Sequence, residues 1–300
     1  MTAPRPALGV AAALAVVAMW STFLLMSRFG LKTEIAPVDM AALRFGVSGL
    51  VMLPVLVWRG FGGLDAGRAA FLAVTGGLGF ALWIYLGFAR APAAYGAILL
   101  PGVLPLYTTL LAWLVLGDRL TPARVLPLLL VVSGVAALAV GTLHAGDATR
   151  LLGAGFFLLG SFMWSCFTIA LRRWRIEAVQ AAAVVAVLAA SAYLPVYALA
   201  LPKGLAALPW TTLVAQGVVQ GLVGVILALL AFTTAVKHLG PAPTTMITGM
   251  TPAVVTLAAV PLLGEPLTPF TAAGAAAVVA GGVLTARLAA RPPARPTEGP

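Results

Sequence analysis

The sequence predicts an all-α integral membrane protein, with ten transmembrane helices arranged as two inverted five-helix repeats. Three observations carry this. Of the 300 residues, 62% are hydrophobic and only 9% charged, whereas a soluble domain carries about 25% charged residues. Too few polar groups remain to cover a water-facing surface. The apolar residues also gather into ten runs, each close to the roughly 20 residues that cross a hydrocarbon core as a helix. Transmembrane β-strands would be about ten residues long and alternating, and these runs show no such alternation. Finally, the chain repeats itself at offsets of 144 and 147 residues.

Composition excludes several classes. A net charge of +10 and a pI near 10.9 suit a nucleic-acid binder only when Lys and Arg cluster on a polar face. Here they lie singly or in small groups between apolar runs, so nucleic acid is not an expected partner. The single cysteine, Cys166, excludes a disulfide framework and a thiolate-rich metal site. No cofactor and no metal are expected. The expected partners are the lipid bilayer and a small-molecule substrate, with the chain acting as a monomer or homodimer.

The spans follow in order. The first, 7–27, comes after Arg5 and resembles a signal peptide. Its uncharged run from Pro6 to Ser27 exceeds the 7–15 residues of a signal h-region, so it reads as a retained helix. The second, 36–58, holds Arg44, the one cation well inside a span, roughly 10 Å from the start of the helix. It reads as a gating or structural charge near the outer face, with Asp39 and Glu34 close in sequence. The third, 69–89, brings Gly76, Gly77 and Gly79 for close helix approach and a deep Trp83. The fourth, 92–116, contains Pro101 and Pro105. The fifth covers 122–141 and completes the first half.

The second half opens with 151–171, which carries Trp164 and Ser165, followed by 178–200. The eighth span, 210–236, places Gln216 and Gln220 on one face, beside Gly217 and Gly221. The ninth, 241–263, has Thr245 and Thr248 on the same side as Pro252, and the tenth is 268–288. Residues 289–300 form a short tail. With the N-terminus inside, twelve cations fall in inner segments and five in outer loops. That bias places both termini in the cytoplasm.

The repeat is specific. Gly102–Pro122 matches Gly249–Pro269 without a gap, pairing Pro105 with Pro252, Gly117 with Gly264, and Asp118 with Glu265. Met19-Trp20-Ser21-x-Phe23 matches Met163-Trp164-Ser165-x-Phe167. The repeats are 7–141 and 151–288. Five spans is an odd number, so the second repeat enters the membrane from the opposite side. Inverted repeats recur in secondary transporters, with the site near the midplane between the halves. Paired interruptions in corresponding helices point to such a site, which singles out Pro105 and Pro252. The deep tryptophans Trp20, Trp83 and Trp164, together with Ser21, Ser165, Gln220, Thr245 and Thr248, complete a candidate substrate-binding set. Trp58, Trp174 and Trp210 lie at span ends, where interfacial belts account for them.

The chain resembles the drug/metabolite transporter superfamily, and within it the EamA-type ten-helix transporters. The residues that carry the resemblance are Leu43-Arg44-Phe45, Arg90–Ala94, Leu104-Pro105-Leu106 and Leu116-Gly117-Asp118-Arg119-Leu120-Thr121. The second half adds Thr251-Pro252-Ala253 and Leu263-Gly264-Glu265-Pro266-Leu267-Thr268. Asp118 stands where the family usually has Glu, and the seventh span has no counterpart of Arg44. The resemblance implies an inner-membrane exporter of small metabolites, such as amino acids, or of amphipathic drugs. It would work by alternating access along spans one, three, four, six, eight and nine. The alternatives are a membrane-embedded enzyme or a channel. The sequence lacks the His-Glu-x-x-His of zinc proteases and any repeated carbonyl filter or acidic ring. No carboxylate lies at mid-span, so a charge-relay pump is not expected.

Overall fold

A computed structural model describes residues 5–33, 35–118 and 122–289. Glu34, the Arg119-Leu120-Thr121 stretch, and Arg291 and Arg295 of the expected tail lie outside the described residues. Among the described residues, ten helical spans are long and apolar enough to cross a membrane. They are α1 (Pro6–Thr33), α2 (Pro37–Arg59), α3 (Ala66–Arg90), α4 (Ala93–Leu116), α5 (Val125–His144), α6 (Ala148–Trp174), α7 (Ala178–Ala200), α8 (Trp210–Leu239), α9 (Pro241–Leu263) and α10 (Pro269–Leu288).

Local chemistry sets their ends. Asp65 and Asp147 cap α3 and α6 by accepting the Arg68 and Arg150 N–H groups at 2.8 Å, which satisfies otherwise orphaned helix donors. Pro37 and Pro241 open α2 and α9, where a missing N–H is harmless. Gly117 and Gly264 close α4 and α9 in the left-handed region, with φ of 72° and 64°. The next N–H groups, of Asp118 and Glu265, reach back to the Ala112 and Ala259 carbonyls, each at 3.2 Å. Equivalent positions of the two repeats therefore end in the same cap.

Pro105 and Pro252 do not kink continuous helices. The α4 span leaves helical geometry over residues 100–103 and restarts at Leu104, and α9 pauses at Gly249 and Met250 before restarting at Thr251. Each proline sits in the first turn of the restarted helix, where its ring is tolerated. A second interruption was not legible in sequence. The α3 span widens into a π-helix over Ala73–Leu78 and α8 over Val218–Leu227, again at corresponding places in the two repeats.

Packing obeys the same symmetry. The main pairs are α1 with α8, α3 with α6, α2 with α7, and α5 with α10. Exchanging the repeats swaps the first two pairs and maps the others onto themselves. Bulky buried side chains, including Tyr85, Phe88, Ile98 and Phe157, fill the half of the bundle distant from the N-terminus. The half nearer the N-terminus encloses a cavity. Large apolar side chains face outward along the spans, with Leu50, Val57 and Leu199 each more than 70% exposed. Such a surface suits lipid and not water.

Candidate functional site

The cavity measures about 630 Å³ and lies between the two repeats, within the size range of small-ligand sites. From the first repeat it takes Trp20, Arg44, Ser48, Gly76, Gly77, Pro101 and Pro105. From the second it takes Trp164, Phe167, Thr168, Phe232, Thr245, Thr248 and Pro252. The interrupted α4 and α9 thus meet across it, as do the π segments through Gly77 and Gly224. Small residues of α7, Ala178, Ala182 and Ala186, contribute one wall at helical spacing, and α10 adds Gly282 and Thr285. Spans α2, α7 and α10 were not among those expected to line a path. The Ala stripe at i, i+4, i+8 was the readable signal for α7.

Aromatic rings furnish much of the wall. Trp20 stacks on Phe232 with ring centroids 6.0 Å apart. Trp164 packs on Phe80 at 4.7 Å and on Phe167 at 5.1 Å. The hydroxyls of Thr245 and Thr248 bond back to carbonyls of their own helix, Thr248 to Thr244 at 3.1 Å. The wall therefore presents mainly apolar surface, with Arg44 as its one charged side chain among the described residues.

Four of the sequence-selected residues lie elsewhere. Trp83 stacks on Phe156 at 5.5 Å, away from the cavity. Ser165 is fully buried and donates to the Ser161 carbonyl at 2.8 Å. Ser21 is buried with no partner for its hydroxyl. Consecutive helical residues point about 100° apart, so a wall that takes Trp20 and Trp164 turns Ser21 and Ser165 into helix packing. Gln220 has no exposure and belongs to a closed network. It accepts from the Tyr85 hydroxyl at 3.0 Å and from Ser27 at 3.2 Å, and donates to Gln216 Oε1 at 3.1 Å. Gln216 in turn donates to the Met26 carbonyl at 2.9 Å. The amide is thus met by Tyr85 of α3, Ser27 of α1 and, one turn back on α8 itself, Gln216.

The expected pairing of Arg44 with Asp39 does not form. Five helical positions separate them by about 140° around α2. Asp39 instead takes the Tyr197 hydroxyl and the Gly204 N–H, while Arg44 turns to the floor of the cavity.

The two ends of the bundle differ. At the end away from the N-terminus, Arg28 Nε meets Glu265 Oε1 at 2.8 Å. The other Glu265 oxygen accepts the Ala93 N–H at 2.7 Å, and Arg28 also donates to the Phe88 carbonyl. Lys32 reaches the Leu263 carbonyl at 2.7 Å. Glu265 thus caps α4 of the opposite repeat and clamps α1. No cavity residue comes from this end. At the N-terminal end the wall runs out to Leu171, Ala178, Val236 and Thr285, at the ends of their spans, so the cavity faces that side. There, Arg172 grips Asp118 through two bonds, of 2.7 and 3.2 Å. Arg172 follows Arg28 by 144 positions and Glu265 follows Asp118 by 147, the two offsets of the sequence repeat. The Arg28–Glu265 pair is buried, at 15% and 8% side-chain exposure; the Arg172–Asp118 pair is more open, at 59% and 29%. Among the described residues no three His, Cys, Asp or Glu side chains gather as a metal site.

Ten spans in two exchanged repeats, around a cavity shut at one end, define a multi-pass membrane protein of transporter build. The EamA-like transporter family model matches residues 7–140 and 151–287; the chain belongs to that family and so to the drug/metabolite transporter superfamily. A solved crystal structure shares the fold, with a TM-score of 0.62 and 21% identity over 95% of this chain and 98% of its own. No curated protein matches by sequence.

Proposed function

We propose that the protein is a secondary carrier of the cell inner membrane, with both termini cytoplasmic. It exports small metabolites such as amino acids, or amphipathic drugs, by alternating access, and works as a monomer or homodimer with no enzymatic step. The observation that carries this reading is the one-sided cavity. It opens toward the N-terminal face and is sealed opposite by Arg28 and Glu265, whose repeat equivalents, Arg172 and Asp118, flank the open end. Rocking one repeat against the other would exchange the environments of the two pairs. The cytoplasmic assignment rests on the excess of Arg and Lys at that face.

The test is counterflow in proteoliposomes. Vesicles preloaded with one member of a panel of amino acids and amphipathic dyes should take up the labelled form saturably. Conductance without saturation, or no flux for any member, would sink the carrier reading. A reporter fused to the C-terminus and active only in the periplasm would sink the topology.

A further inference from the structure

Arg44 is held in an unusual setting. It is 5% exposed, in the second span, yet forms part of the cavity wall. Burying a cation is costly unless it is paired and hydrogen-bonded. Among the described residues no carboxylate pairs with it. A guanidinium carries five N–H donors. The structure gives Arg44 one hydrogen bond to a carbonyl, that of Gln220, at 3.4 Å, and sets the Tyr85 hydroxyl beside it. Its remaining support is π-electron density: the Phe23 ring centroid lies 5.3 Å away and that of Phe80 5.7 Å. All of these neighbours are neutral. The charge is steadied but not cancelled, and among the described residues no anionic side chain shares the cavity with it.

We propose that Arg44 is the recognition point for an anionic headgroup, and that the cavity takes organic acids with an apolar or aromatic body. The proposal deepens the carrier reading and rests on it. A planar guanidinium suits a carboxylate through two parallel hydrogen bonds. Trp20, Trp164, Phe167 and Phe232 would receive the apolar body. Ser48, one helical turn from Arg44 and also on the wall, adds a hydroxyl beside the headgroup. A cationic amphiphile would meet repulsion with no carboxylate to offset it. The absence of an arginine at the corresponding place in α7 makes the site one-sided: the symmetric bundle holds a single anion locus.

The experiment compares 3-phenylpropanoate with its neutral amide, 3-phenylpropanamide, binding to the full-length protein in lipid nanodiscs. Calorimetry and quenching of tryptophan fluorescence provide the readout. The carboxylate should bind about tenfold or more tightly than the amide, as expected for a charge-assisted hydrogen bond in a desolvated site. Arg44→Gln should abolish that preference, while Arg44→Lys should retain part of it. The two probes on the unmodified chain test the proposal even if a variant fails to fold. Equal binding of both, preference for the amide, binding of neither, or a preference that survives Arg44→Gln would overturn it. Counterflow separates the two readings. Exchange of the amide with no preference for the carboxylate would leave the carrier standing and remove the anion site. Arg44-dependent binding without exchange would do the reverse.

Discussion

Single residues here divide into those that face the cavity and those that hold the bundle together, and helix geometry decides which. Gln220 is the clearest of the second kind. Its amide ties α8 to Tyr85 of α3 and Ser27 of α1. Interhelical hydrogen bonds inside membranes average ~0.6 kcal/mol, and loss of this amide also strands the buried Tyr85 hydroxyl. Gln220→Leu should therefore lower stability by about 1–2 kcal/mol, read as a fall in Tm in nanodiscs, with the order of substrate preference unchanged. A changed preference at unchanged Tm would return Gln220 to the substrate. Trp164 is of the first kind. Trp164→Ala removes a ring from the cavity wall and should reduce transport several-fold at normal membrane abundance; full transport would exclude a role at the site. Trp20 and Trp164 were legible in the sequence as repeat partners. Ser21 and Ser165 each follow a tryptophan that faces the cavity, and neighbours along a helix do not share a face. The Gln220 network is not legible in the sequence: a buried amide needs a partner, but these partners stand 135 and 193 residues away.

Individual helices show which sequence features translate directly into structure. The small-residue pair Gly217 and Gly221 reads as a contact stripe, and the structure seats it on α2. A Cβ added at Gly221 would lie 2.6 Å from Val47 Cβ and 3.0 Å from the Ser48 backbone nitrogen. Neither atom is the free end of a flexible chain, so Gly221→Val must push α8 off α2. Overpacking of this kind typically costs about 1–3 kcal/mol. Gly46, also on α2, has nothing within 4 Å of such a Cβ. Gly46→Ala should leave Tm unchanged or raise it, since alanine favours the helix. Parallel melting curves of the two variants check the contrast, and equal loss in both would contradict the packing. Span number, helix caps and the α4 and α9 interruptions follow from apolar run length, from Asp, Pro and Gly at helix ends, and from paired prolines. The π segments of α3 and α8 left no such mark. Their glycines permit a widened turn but do not demand one; in the structure the α3 segment packs on α6 and α7, and the α8 segment on α1 and α2.

At the scale of the whole molecule, the repeats share registered sequence blocks but are plainly asymmetric in conformation, and the two charge pairs measure the difference. Arg28 and Glu265 are buried, and two further bonds hold them to the α3 and α4 backbone. Breaking a buried pair by removing one partner costs about 3–5 kcal/mol, because the other charge is stranded. Arg172 is exposed and Asp118 half-buried at the surface, where an ion pair contributes at most ~1 kcal/mol. Glu265→Gln should therefore shift the balance strongly away from the conformation with its cavity facing the N-terminal side, whereas Asp118→Asn should shift it little. Even 1.4 kcal/mol changes a two-state ratio about tenfold. The check uses a Cys166→Ala background with a cysteine at Thr233 on the cavity wall. A membrane-impermeant thiol reagent should label it only from the N-terminal face in the parent and in Asp118→Asn. In Glu265→Gln, labelling from the opposite face should appear. If both substitutions act equally, or neither opens the far side, the buried pair is not what holds that side closed. That side would then have to be held closed by packing alone, through the Tyr85, Phe88 and Phe157 cluster that fills the closed end.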